Sequence, residues 1–116
     1  MERIDDARFD ALVDAAMADL PPGVEDFMDN VALFVHDDPP PETPDLLGVY
    51  DGIPLTERDG SWGFVPPDTI VLFKNPLIDF ARDEEHLADE IRITIIHEIA
   101  HHYGIDDDRL HELGWG

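Results

Sequence analysis

The residues best suited to chemistry stand near the end of the chain, in the run IIHEIAHHYGIDDDRL at positions 95–110. His97 and His101 are four residues apart, so on a helix both imidazoles leave the same face about one turn from each other. That spacing lets two ring nitrogens bind one zinc ion, at about 2.0–2.1 Å each. The pair therefore predicts a metal site.

Glu98 follows the first of these histidines, and its side chain is offset from both around the helix. The offset makes it a poor third ligand, but it lets the carboxylate act as general base on a water at the metal. The alternative, in which both histidines are surface residues without a task, fits poorly with a helix so rich in isoleucine. The motif H-E-x-x-H therefore predicts metal-assisted hydrolysis.

A catalytic zinc takes three protein ligands and keeps one position open. Gly104 stands three residues after His101, and Asp107 stands three residues further on, which gives H-E-x-x-H-x-x-G-x-x-D. If the helix ends at Gly104 and the chain turns sharply, Asp107 can swing toward the histidines, so it is the predicted third ligand. Three other side chains are rivals for this place: Asp106, Asp108 and, more distantly, His111.

The elements that must position the motif indicate an α+β fold in one domain spanning residues 1–116. A long helix is predicted from an N-cap at Asp83 to a stop at Gly104, because its apolar residues form one broad stripe. Apolar spacing and β-branched runs predict four further elements: a helix over 6–19, strands over 31–37 and 69–77, and a short strand starting at 48. A short helix is expected after Gly104. Pro76 favours a sheet edge for the strand 69–77.

The charge of the chain is strongly negative, with 28 acidic and 7 basic residues and a net charge of −21. Nucleic-acid binding and binding to anionic membranes are therefore not expected, since both need clustered lysine and arginine. No apolar stretch approaches the ~20 residues of a membrane span. The chain lacks cysteine and opens with charged residues rather than a signal peptide, so a cytoplasmic location is expected.

With these motifs the sequence resembles the zincin metallopeptidases, and among them a group of very small bacterial zincin-like proteins. The resemblance rests on HEIAHHYGIDD and on two earlier segments, LLGVYDGIPLTER and DTIVLFKNPL. It implies a minimal zincin-like domain, in which a small mixed sheet packs on an N-terminal helix and the long active-site helix. It also implies zinc held by His97, His101 and Asp107, with Glu98 as the base.

The same resemblance implies that an edge strand binds an extended peptide substrate by strand addition. Either TIVLFKNPL or GVYDG could supply this edge, and the first is preferred, which assigns the role to Ile70, Val71, Leu72 and Phe73. The group that stabilises the oxyanion is left open. Five side chains are candidates for that role or for supporting the metal site: Tyr50, Arg58, His102, Tyr103 and His111.

Three functions are compatible with the sequence. The first is a zinc metallopeptidase acting on peptides or proteins, with basic ones favoured by the acidic surface. The second is a non-catalytic module that keeps the metal for stability and binds a partner through its acidic face. The third is a regulatory protease with one dedicated substrate. The presence of Glu98 favours catalysis, because a purely structural site gains nothing from a general base, and such a site usually has four protein ligands.

Overall fold

The computed structural model describes residues 1–27, 31–52 and 68–115. Four α-helices and three strands make up the described fold, with a 3₁₀ turn at Val24–Phe27. In chain order they are α1 (Asp6–Ala18), β1 (Val31–His36), β2 (Gly48–Asp51), β3 (Asp68–Phe73), α2 (Lys74–Phe80), α3 (Glu84–His102) and α4 (Asp107–Leu113). The predicted α+β class and the order of its main elements are confirmed.

The three strands form a mixed sheet in the order β1-β3-β2. β1 runs parallel to β3, while β2 runs antiparallel to it, with Tyr50 opposite Ile70. Because β3 has a neighbour on each side, the prediction that it forms an edge is wrong. The strand also ends at Phe73, and Pro76 lies in the first turn of α2. Backbone N–H groups in a first turn have no partner within the helix, so proline is tolerated there.

The core lies between the helices and one face of the sheet. α3 contributes the widest apolar stripe, and its isoleucines meet the fully buried Ile70 and Leu72 of β3. α1 covers the same core with Phe9, Leu12 and Val13. The apolar faces predicted from the helical periodicity of both segments are therefore the faces that are buried. Burial of these side chains holds α3 against the sheet.

Both ends of α3 are capped by the residues that the sequence indicates. The Asp83 carboxylate accepts a hydrogen bond from the backbone N of His86 at 2.8 Å. At the other end Gly104 adopts φ 72°, which an L side chain rarely tolerates. Its N donates to the carbonyl of His101, and Ile105 N donates to that of Ala100 at 2.8 Å, which is a Schellman motif.

A glycine brings the strand β2 unusually close to α3. A Cβ atom at Gly48 would lie 2.8 Å from Cγ2 of Thr94 and 3.1 Å from the carbonyl oxygen of Val71. Glycine is therefore required here for the helix and the strand to approach. The contact matters for the site, because Glu98 lies one helical turn after Thr94 along the same face.

Within the described ranges, no helix combines the length and the apolar character needed to cross a membrane.

Candidate metal centre

His97 and His101 lie in the last two turns of α3, as the motif predicts. Their ring centroids are 5.8 Å apart and the ring planes are inclined by 38°. His97 is partly buried and His101 is exposed, so the pair opens toward solvent at the side of the helix. Two imidazoles on one helical face are a donor pair that suits zinc, and this part of the chain fits the ion chemically.

Glu98 is half-buried and points toward the sheet. Its Oε1 accepts a hydrogen bond from the backbone N of Tyr50, at 3.1 Å. Burial raises the pKa of this carboxyl above its usual value, while the Tyr50 bond and the nearby His101 and His97 partly oppose the shift. The carboxyl group of Glu98 is therefore easier to protonate than that of an exposed glutamate.

The Tyr50 side chain belongs to a polar cluster next to Glu98. Its hydroxyl donates to Oδ2 of Asp68 at 2.7 Å, and its ring stacks on His102 with 4.0 Å between centroids and 16° between planes. Nε2 of His102 lies 4.0 Å from the same Asp68 oxygen. Tyr103 meets the His102 ring edge-on. Burial and the bond to Asp68 raise the pKa of Tyr50, so its hydroxyl keeps its proton at neutral pH.

The three aspartates after Gly104 form the start of α4. Asp106 is the N-cap, and its Oδ1 accepts from the backbone N of Arg109 at 2.9 Å. Asp107 and Asp108 occupy the exposed first turn. No group of three or more His, Asp or Glu side chains is arranged around a metal position within the described residues. The two histidines are thus together, and the role of Asp107 as third ligand stays a prediction.

Two of the other predicted residues, Tyr103 and His111, are exposed. Tyr103 lies directly after α3, and His111 lies in the last turn of α4. Arg58 lies outside the described residues.

The strand that faces the motif is β2, the less favoured of the two strands predicted to bind substrate. The favoured residues, Ile70, Val71, Leu72 and Phe73, lie in the central strand of the sheet. A central strand cannot accept a substrate strand, because both of its sides are already hydrogen-bonded.

Sequence reasoning missed Asp68 and the contact between Tyr50 and Glu98. In the sequence Asp68 stands directly before the strand predicted over 69–77, where an acidic residue is ordinarily read as part of a polar turn. Its side chain is only 12% exposed in the structure. So low an exposure of a carboxylate would have marked Asp68 as part of the site. It arises only when β2 pairs with β3, so the sequence alone does not show it.

Comparisons with known proteins agree with this fold. A solved structure of a conserved hypothetical protein from Thermo thermophilus superimposes with a TM-score of 0.60 at 22% sequence identity. The match covers 86% of this chain and 94% of that one, and at this identity it shows a shared fold. A search of curated proteins finds no match. The sequence profile of the zincin-like metallopeptidases matches residues 28–115, a span that includes the complete motif and all three strands. The chain is therefore a member of the zincin-like metallopeptidase family.

Proposed function

We propose that this protein is a zinc-dependent peptidase, in which His97, His101 and Asp107 hold the metal and Glu98 is the general base. One observation carries the proposal. The imidazoles of His97 and His101 lie on one face of α3, and the half-buried carboxylate of Glu98 next to them is hydrogen-bonded to β2. Membership of the family supports the same chemistry. Asp107 is included because it follows His101 by six residues, with Gly104 in a left-handed conformation between them.

A bound zinc would supply Lewis-acid activation of the scissile carbonyl and of the attacking water. Glu98 would take the proton of that water and then pass it to the leaving amine. One oxygen of its carboxylate accepts from Tyr50 N, so the second oxygen is the one that would take the proton. A pKa raised by burial suits this role, because the group must hold the proton between the two transfers.

We propose an extended, basic peptide or protein segment as the substrate. β2 lies at the edge of the described strands and beside Glu98, which already accepts from the outward Tyr50 N–H. Strand addition to the other outward groups of β2 would bring a substrate backbone next to the base. The net charge of −21 attracts basic segments at long range and repels acidic ones. A chain without cysteine suits the reducing cytoplasm, which is the location that we propose.

The observation that favours catalysis over a metal-stabilised binding module is the burial of Glu98. Burying a carboxyl group costs free energy, which the bond from Tyr50 N offsets only in part, and a structural metal site has no need of such a group. A dedicated regulatory protease shares the same site and differs from a general peptidase in its substrate range. Cleavage of one protein combined with poor cleavage of short peptides would identify that case.

The first test is the zinc content of protein purified without added metal. We expect about one zinc per chain in the wild type and in Glu98→Ala, and a loss of zinc in His97→Ala, because only the histidine is a ligand. His36→Ala is the matched control, since His36 is an exposed histidine at the far strand of the sheet. A peptide-library cleavage assay follows, in which Glu98→Ala should be inactive with its zinc retained. A wild type that takes up no zinc on titration would overturn the proposal.

A further inference from the structure

The hydrogen bond between Tyr50 and Glu98 uses a backbone amide on the outer side of β2. The carbonyl of Leu47 accepts from Phe73 N at 2.9 Å, so residue 47 faces β3. Because successive residues of a strand point their N–H and C=O groups to opposite sides, Tyr50 presents its N–H away from β3. Glu98 therefore takes an edge amide that the sheet itself does not use.

The side chain of Tyr50, the residue that carries this amide, is held at two points. Its ring lies flat on His102, and its hydroxyl is bonded to Asp68, so the side chain is held both across its face and at its tip. Gly52 leaves the space for this arrangement. A Cβ atom there would lie 2.9 Å from Cε1 of Tyr50 and 3.0 Å from Cγ of Asp68. The carboxylate of Asp68 is thus built into the end of β2 rather than left at the surface.

We propose that Asp68 is a positioning residue for Glu98 and acts through Tyr50. By fixing the Tyr50 side chain, Asp68 holds the end of β2 in the place where the Tyr50 N–H binds one oxygen of the Glu98 carboxylate. The other oxygen is then directed to the attacking water. This role rests on the proposed function of Glu98 as general base, whereas the chain of contacts from Asp68 to Glu98 is present without any metal.

Hydrogen exchange of the Tyr50 amide tests the chain of contacts directly in metal-free protein. The wild type should protect this amide, and Glu98→Ala should lower the protection by about tenfold, the factor expected for loss of one hydrogen bond. Tyr50→Phe keeps the ring and the N–H but loses the bond to Asp68, and Asp68→Ala loses the same bond from the other side. Both should lower protection at Tyr50 while the Phe73 amide, bonded to Leu47, stays unchanged.

The matched control is Thr69→Val, which removes a side-chain hydrogen bond from β3 to the carbonyl of Asp51 in the same strand pair. It should leave the Tyr50 amide as protected as in the wild type. The losses in the double variant Asp68→Ala/Tyr50→Phe should be clearly less than additive, because both changes break the bond between these two side chains, while Asp68→Ala also removes the contact with Nε2 of His102. Full protection in both single variants, or additive losses in the double variant, would overturn the proposal.

The catalytic part of the proposal has a separate readout. Asp68→Ala and Tyr50→Phe should each lower kcat by about tenfold with zinc content and KM unchanged, since both disturb the orientation of the base and leave the ligands in place. Loss of an oxyanion donor would instead lower kcat in Tyr50→Phe alone. An unchanged kcat in Tyr50→Phe would overturn the positioning role even if the amide exchanges faster. If the wild type binds no zinc, the proposed function fails, and the exchange experiment still decides whether Asp68 positions Glu98.

Discussion

Glu98 is subject to two opposing influences. The run H-E-x-x-H has a carboxylate next to the first of two histidines, and the fold places this carboxylate against β2, where burial disfavours the ionised form. The hydrogen bond from Tyr50 N and the proximity of His97 and His101 compensate only in part, so its pKa stays raised. Folding therefore makes this residue easier to protonate, which links its chemistry to the stability of the domain.

We expect Glu98→Gln to stabilise the metal-free protein at neutral pH. A carboxyl whose pKa is raised by folding adds stability below its unfolded pKa, and this contribution is lost as pH rises through the folded pKa. Above the folded pKa the wild type must bury a charge that glutamine lacks. The difference in Tm between the variant and the wild type should thus be positive at pH 7 and shrink as pH falls toward 4.

Thermal unfolding of metal-free protein between pH 4 and pH 8 measures this difference. Glu42→Gln is the control, because Glu42 is exposed in a loop and its charge stays in water on folding. The control should show a small difference that does not grow with pH. A Glu98→Gln variant that is less stable than the wild type at pH 7 would contradict the expected sign.

At the scale of elements, the last two helices end in the same way. Gly114 has φ 78° and repeats the geometry of Gly104, with hydrogen bonds from Gly114 N to the His111 carbonyl and from Trp115 N to that of Leu110. Among the described residues, and apart from the chain neighbours, nothing lies within 4 Å of a Cβ atom placed at either glycine. The requirement for glycine at both positions is therefore purely one of backbone conformation.

This pair of glycines provides a test of the third ligand. Gly104→Ala and Gly114→Ala should each lower the free energy of unfolding by about 1–2 kcal/mol, because alanine is strained in the left-handed region. Only Gly104 lies between His101 and Asp107, so only Gly104→Ala should weaken zinc binding, by about tenfold for 1.4 kcal/mol of strain. Zinc titration and denaturant unfolding measure the two effects. Equal zinc affinities in both variants would argue against Asp107 as a ligand.

The approach of β2 to α3 is the second feature at this scale. Gly48→Ala should destabilise the protein by about 1–3 kcal/mol, because the added methyl group meets Thr94 Cγ2 and the carbonyl of Val71. It should also separate the strand from the helix and weaken the bond from Tyr50 to Glu98. Thr94→Ser removes one of the two contacts, so the double variant should recover part of the loss. Denaturant unfolding of the wild type, the two single variants and the double variant gives a double-mutant cycle. A double variant that regains none of the stability lost in Gly48→Ala would contradict the steric explanation.

At the scale of the whole molecule, charge is the dominant property. A net charge of −21 on 116 residues gives strong self-repulsion in the folded state. Several of the 7 basic residues are used in ion pairs that tie separate segments together, among them Arg8 with Glu84 and Lys74 with Asp6. Lys74 is itself buried at one end of the core. These pairs relieve only a small part of the excess negative charge.

We therefore expect Tm to rise with salt. Screening at 0.5 M NaCl shortens the Debye length well below the ~10 Å of a 0.1 M solution and weakens repulsion between the many carboxylates. Each 1 kcal/mol gained should raise Tm by about 4 °C in a domain of this size. Choline chloride is the control, since a general screening effect should not depend on the cation. A Tm that is flat or falls between 10 mM and 0.5 M salt would contradict the expectation.

The same screening bears on the proposed substrate preference. Long-range attraction of a basic peptide should raise kcat/KM at low salt and fade as salt increases, whereas a neutral peptide of equal length should show little change. Comparing the two peptides at 20 mM and 0.5 M NaCl separates long-range electrostatic attraction, which salt screens, from short-range contacts in the site. Equal salt dependence of both peptides would show that charge does not select the substrate.

The amino-acid sequence by itself determined what depends on near neighbours. The helix α3, its N-cap at Asp83, its stop at Gly104 and the common face of His97 and His101 all follow from helical periodicity and from the conformational freedom of glycine. These are interactions within a few residues of one another. The helix α4 after the turn follows in the same way.

Only the tertiary structure decided which strand is central and what surrounds Glu98. The sequence favoured an edge for β3 because of Pro76, yet Pro76 lies in a helix that begins where the strand ends. Tyr50 and Glu98 are 48 residues apart, and Asp68 reaches Tyr50 across a strand pair. Strand order and such contacts depend on which distant segments pack together. Local spacing carries no record of that choice, because the free energy that decides it comes from burial across the whole core.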